Sequence, residues 1–140
     1  MPPTLIPVAR LTVDLAPPLA IGDSGAGVRD VIPILGGRIE GPRLSGKVLP
    51  GGADWPITRP DGVAEIWARY TIALDDGTLV MVTNAGLAHQ TSDGRWIGHT
   101  VPVFEVAAPA YQWLRRSIFV GALEVTAAGD KVDLEWWQVV

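Results

Sequence analysis

The sequence predicts an all-β domain spanning residues 1–140, a single closed antiparallel β-barrel of about eight to ten strands with at most one short helical turn. Three observations carry this. The 16 Gly and 12 Pro are spread over all 140 residues and are not gathered in one linker. Between them lie short runs of β-branched and aromatic residues, the make-up of strands joined by turns. No stretch sustains a helical apolar period, whereas one stretch alternates cleanly: Ala64, Ile66, Ala68, Tyr70, Ile72 and Leu74 share one face, and Glu65, Trp67, Arg69 and Thr71 the other. A closed barrel leaves no bare edge, which suits strands with few long charged side chains.

Taken in order, Leu5 to Leu15 reads as a first strand, stopped by Pro17-Pro18, and residues 22–27 as a glycine loop. Val28 to Leu35 follows, broken near Pro33, and Gly36-Gly37 reads as a turn. Arg38 to Leu49 is a strand with an edge or bulge at Pro42. Residues 50–54 form a turn leading into residues 55–58, and Pro60-Asp61-Gly62 is a tight turn. The alternating strand ends at Asp75-Asp76-Gly77, a hairpin turn, and Thr78 to Leu87 returns beside it. His89 to Gly98 reads as a polar loop and Thr100 to Ala107 as a strand. Pro109 to Arg116 suits one helical turn with Trp113 and Leu114 inward, and the chain closes with a hairpin across Ala128-Gly129-Asp130.

Composition removes several functions. The net charge is −4, and the longest basic run is Arg115-Arg116. Nucleic acid needs a basic stripe, so it is not an expected partner. The chain has no cysteine, which excludes disulfides, thiolate metal sites and a cysteine nucleophile. No apolar run approaches the ~20 residues of a membrane span, and the first residues lack the pattern of a signal peptide, so no membrane partner and a cytoplasmic location are expected.

Gly22-Asp23-Ser24-Gly25 spells the nucleophile turn of trypsin-like proteases, but both histidines, His89 and His99, lie far downstream and the chain is too short for that fold. Those histidines, with Asp93, match no metal-ligand spacing and read as solvated loop residues; no metal is expected. The acidic residues say more. By strict alternation Glu40 shares a face with Pro42, Leu44 and Val48, and Glu105 with Val101, Val103 and Ala107. A carboxylate on an apolar face is paired, bulged out to solvent, or functional with a raised pKa. Tyr70 lies on the apolar face of its strand, where its hydroxyl needs a partner. Six Trp is a high count, and Trp136-Trp137 must set one ring on each face of the last strand.

Residues 36–55, which include Glu-Gly-Pro-Arg at 40–43 and Gly-Gly-Ala-Asp-Trp at 51–55, resemble the domain of unknown function 3237 family of bacteria and fungi. The likeness continues through Ala68-Arg69-Tyr70, Asp75-Asp76-Gly77, Asn84-Ala85-Gly86, Pro102-Val103-Phe104-Glu105 and Trp113-Leu114. Trp67, Pro56 and the bulky Glu135-Trp136-Trp137 depart from the family pattern. The resemblance implies a compact, calycin-like barrel with an internal cavity and no settled activity; some relatives belong to aromatic-compound and secondary-metabolite pathways.

The leading expectation is a cofactor-free isomerase, cyclase or lyase acting on a small apolar molecule, aromatic or phenolic, held inside the barrel. Glu40, Asp54 or Glu105 would move a proton. Tyr70, Arg43 and Asn84 would orient an oxygen or stabilise developing charge. Trp55, Phe104 and Trp113 would form the apolar wall. Two other readings stand beside it: a non-catalytic barrel that carries a hydrophobic ligand, and a homodimer that buries an exposed Trp face.

Overall fold

In a computed structural model of residues 1–140 the chain forms a closed antiparallel barrel. Its strands are β1 (Leu5–Leu15), β2 (Leu19–Asp23), β3 (Val28–Glu40), β4 (Gly46–Val48), β5 (Ala53–Asp54), β6 (Ile57–Thr58), β7 (Ala64–Leu74), β8 (Leu79–Gln90), β9 (Trp96–Glu105), β10 (Ile118–Val125) and β11 (Lys131–Val139). The wall runs β1-β11-β10-β9-β8-β7, then the short β4, β5 and β6, which act as one interrupted strand between β7 and β3. Pairing of β1 with β3 closes it. β2 lies outside the wall as an edge strand on the start of β3. No helix is long and apolar enough to cross a membrane.

Three local readings are corrected. Gly36-Gly37 is not a turn, for β3 runs straight through it and Gly37 pairs with Val13 of β1. A Cβ on Gly37 would stand 2.2 Å from the Thr12 carbonyl, so the glycine lets two strands approach where the barrel closes. The segment 38–49 is two strands separated by an irregular turn at residues 41–45. Residues 89–98 are no loop: β8 reaches Gln90, β9 starts at Trp96, and the register Gln90↔Trp96 leaves only a tight connection. His89 and His99 are therefore exposed strand residues.

The two barrel ends differ. Beyond β9 a 3-10 turn at Pro109–Tyr111 leads into a single helical turn, α1 (Trp113–Arg116), which packs on β9 and covers one end. Leu114 is buried beneath it. There Phe104 meets Phe119 edge-on at 5.0 Å between ring centroids and Trp136 at 5.1 Å, while Trp113 tilts against Phe119 at 5.9 Å. Edge-to-face pairs of this kind add to the burial of their area. Leu114→Ala leaves a cavity in this plug, and an expected loss of about 3 kcal/mol is readable by denaturant unfolding. The opposite end has no such plug.

Candidate functional site

Strand pairing sets Asp54 of β5, Ala68 of β7 and Asn84 of β8 side by side, each pair in register. Side chains two residues apart on a strand share a face, so Tyr70 joins this inward group. Ala68 is the small member between two polar neighbours, and the room above it is part of a cavity of about 50 Å³. One wall carries Asp54, Tyr70 and Asn84; the facing wall is apolar, with Val13, Leu123, Val132 and Leu134. Leu15, Ile34, Ile66 and Val125 complete the lining toward the unplugged end.

The polar wall is unsatisfied. The Tyr70 hydroxyl and Asn84 Oδ1 are buried with no hydrogen-bond partner. Such groups cost on the order of 1–3 kcal/mol each when left unpaired. Asp54 Oδ1 accepts one bond, from the Trp67 backbone N–H at 3.1 Å. Burial pushes the Asp54 carboxyl up from 3.8 to about 6, against the pull of that N–H and of the Arg29 guanidinium. Burial, and then the nearby Asp54 charge, drive the Tyr70 hydroxyl far above its ordinary value, so it stays neutral and keeps a proton to donate. The site thus holds a carboxyl poised near neutrality, a neutral hydroxyl donor and an amide acceptor.

Of the residues singled out from sequence, the fold gathers Asp54, Tyr70 and Asn84 and disperses the others. Glu40 is exposed and pairs with Arg38, because β3 ends there and the following turn breaks the alternation that set it beside Leu44 and Val48. Glu105 does share a face with Val101 and Val103, but that face is the outside of the barrel; it lies 3.5 Å from Arg69. Trp55 tilts against Trp67 outside the barrel, 5.7 Å between ring centroids, and its carbonyl accepts from Arg29. Arg43 lies over the Trp113 ring at 3.7 Å and bonds Gln138, on the plugged end. Phe104 and Trp113 belong to that plug and do not line the cavity.

Two interior polar atoms escaped the sequence reading. Thr100 Oγ1 and Trp136 Nε1 are buried and unpartnered, and both pack closely against Gly121, where a Cβ would stand 2.5 Å and 3.4 Å from them. Register sets Thr100, Gly121 and Trp136 in one row across β9, β10 and β11. The alternation of Thr100 with Pro102 and Phe104 was the one available signal.

The comparisons agree on fold and lineage. The family model "Protein of unknown function (DUF3237)" matches residues 3–139. A UPF0311 protein of Rhodopseudomonas palustris is 38% identical over 146 residues, covering 95% of this chain and 94% of that one. The crystal structure of a conserved protein of unknown function from the same species superposes with a TM-score of 0.92 at 35% identity, over 100% of this chain and 99% of that one. A hydroalkoxylation enzyme of Penicillium herquei is 26% identical over 144 residues, covering 99% of this chain and 85% of its own length.

Proposed function

The chain belongs to the DUF3237 family of proteins of unknown function, and from that premise we propose that it is a cofactor-independent cyclase or isomerase, adding a phenolic O–H across a carbon–carbon double bond of a small substrate held in the barrel. The observation that carries this reading is Asp54, a carboxyl held near pKa 6 beside two unpartnered polar groups in an apolar chamber. The relative named for hydroalkoxylation supports the reaction class.

Intramolecular addition of this kind is an isomerisation, so it needs an acid and a base but no external electron carrier. Protonated Asp54 gives its proton to one alkene carbon. The phenolic oxygen bonds the other carbon, and its own proton passes to the Asp54 carboxylate, which restores the acid. The alkene electron pair becomes the new C–H bond and an oxygen lone pair the new C–O bond. Asn84 Oδ1 accepts from the phenol before reaction, and the Tyr70 hydroxyl donates to the same oxygen. No Lys or Arg lines the chamber, which favours an uncharged substrate.

A chamber of about 50 Å³ is below the ~150 Å³ of an engineered cavity that admits benzene. An aromatic substrate therefore enters by displacing the half-buried side chains of the unplugged end, Leu15, Ile66 and Val125 among them.

The test is incubation with 2-allylphenol and 2-prenylphenol, followed by chromatography with mass detection. A cyclic ether of unchanged mass is the expected product. A ligand that raises the melting temperature but returns intact makes the protein a carrier instead. Tyr70→Phe removes an unpartnered hydroxyl, so its stability should match or exceed that of the parent while turnover falls about tenfold, the worth of one hydrogen bond; a variant with full activity removes Tyr70 from the mechanism.

A further inference from the structure

The outer face of β7, β8 and β9 is apolar where a monomer's surface is ordinarily polar. Trp67, Leu87, Val101 and Val103 are 42%, 51%, 49% and 60% exposed. They are contiguous, for Trp67 pairs with Ala85 and Ala85 with Val101, while Val103 sits beside Thr83 in the next row. The barrel is closed through β1 and β3, so no element of this chain remains to cover that face. Charged and polar residues stand around it: Glu65, Arg69, His99 and Glu105. An apolar centre within a polar rim is the make-up of a protein interface.

We propose that this face binds a second copy of the same chain, forming a two-fold dimer by sheet-on-sheet packing. The occupant follows from the arrangement of charge. A two-fold axis relating two facing sheets must lie within the interface, and the register gives the contacts it makes. With the axis across the strands, Val101 meets Val103 of the second copy, Trp67 meets Arg69, and His99 meets Glu105. With the axis along the strands, Trp67 meets Val101 and Glu65 meets His99. Neither arrangement brings like charges together, and the first adds a cation–π contact. The face also continues into a concavity of about 670 Å³ bounded by Trp55, Trp67 and Leu87, which enlarges the surface toward the ~800 Å² per partner of a standard interface.

A rival surface exists. β2 is an edge strand with Leu19 and Ile21 exposed, and edge pairing there would also join two copies. Sedimentation equilibrium over roughly 1–100 µM separates them, a range chosen to span ordinary dimer affinities. The parent chain should run at twice 14.9 kDa. The double variant Val101→Glu, Val103→Glu should run at the mass of one chain, with unchanged circular dichroism because both positions are exposed, while Ile21→Glu should remain dimeric. A parent chain that stays single at every concentration, a dimer indifferent to the double variant, or dissociation by Ile21→Glu each overturns the proposal. Because the readout is mass, the result is independent of the catalytic reading.

Discussion

Asp54→Asn should lower turnover of an alkenyl phenol about a thousandfold and yet make the protein more stable above pH 6. The first effect follows from the loss of the proton that the alkene receives; positioned acids and bases contribute about 10²–10⁴. The second follows from linkage. The carboxyl rises from 3.8 to about 6 on folding, chiefly through burial. Below pH 4 the folded and unfolded chains both hold the proton, and the residue costs nothing extra. Between pH 4 and 6 the unfolded chain ionises while the folded one does not, and stability drains away as pH rises. Above 6 the full cost is present, about 3 kcal/mol at most, and less in so far as water reaches the carboxyl from the unplugged end. Asparagine keeps an oxygen for the Trp67 N–H and carries no charge. Denaturant unfolding of both proteins at pH 4, 6 and 8 should show curves that coincide in acid and separate toward base. Equal stability at pH 8 would mean that the carboxyl is solvated, and the acid–base role would lose its physical basis. Activity of the parent should decline above pH 6 as the acid form is lost.

That pairing of higher stability with lower activity is what a strained site produces. The barrel has one end filled by edge-on aromatic rings and closed by α1, and another lined by aliphatic side chains around a carboxyl. The plugged end supplies the burial that holds the walls in place. The unplugged end carries the unpaired Tyr70 and Asn84, a cost a bound substrate can relieve.

The polar residues of this site are legible in the sequence, though not all for the same reason. The strict alternation from Ala64 to Leu74 puts Tyr70 on the inner face, and the turn at Asp75-Asp76-Gly77 fixes the return strand that carries Asn84. Asp54 was a candidate only through its place beside Trp55 in the Gly-Gly-Ala-Asp-Trp block; its strand is two residues long, too short to show a period. Glu40 and Glu105 misled for opposite reasons. Alternation cannot be carried across the turn at 41–45, and at β9 the face that carries Val101 and Val103 looks outward despite being apolar. Period-2 patterning says which residues share a face, not which face is inside. The same blindness applied to glycine: Gly36-Gly37 carries the signature of a turn, and only the closing of β3 onto β1 shows that the chain needs closeness there.

Gly86→Ala should be the most damaging single-methyl substitution tested, and it should act through backbone contact alone. A Cβ at that position would stand 2.0 Å from the His99 carbonyl oxygen and 2.6 Å from the Thr100 Cα. Both are main-chain atoms of the paired strand β9, and neither can rotate away. The β8–β9 ladder must part, and with it the strand that presents Asn84 to the chamber. A loss of more than about 4 kcal/mol is expected, a large share of the roughly 5–15 kcal/mol that holds an ordinary domain folded. Gly121→Ala is the matched comparison. Its new methyl would meet Thr100 Oγ1 at 2.5 Å and Trp136 Cδ1 at 3.0 Å, side-chain atoms that can yield, so an overpacking cost of about 1–3 kcal/mol is expected. Chemical denaturation of the two variants side by side reads the difference. If Gly86→Ala unfolds no more easily than Gly121→Ala, the two strands are not held at the separation described, and the placement of Asn84 opposite Ala68 and Asp54 fails with it. If the order holds, the shape of the chamber rests on a glycine in the strand that carries Asn84 as much as on the polar residues that face into it.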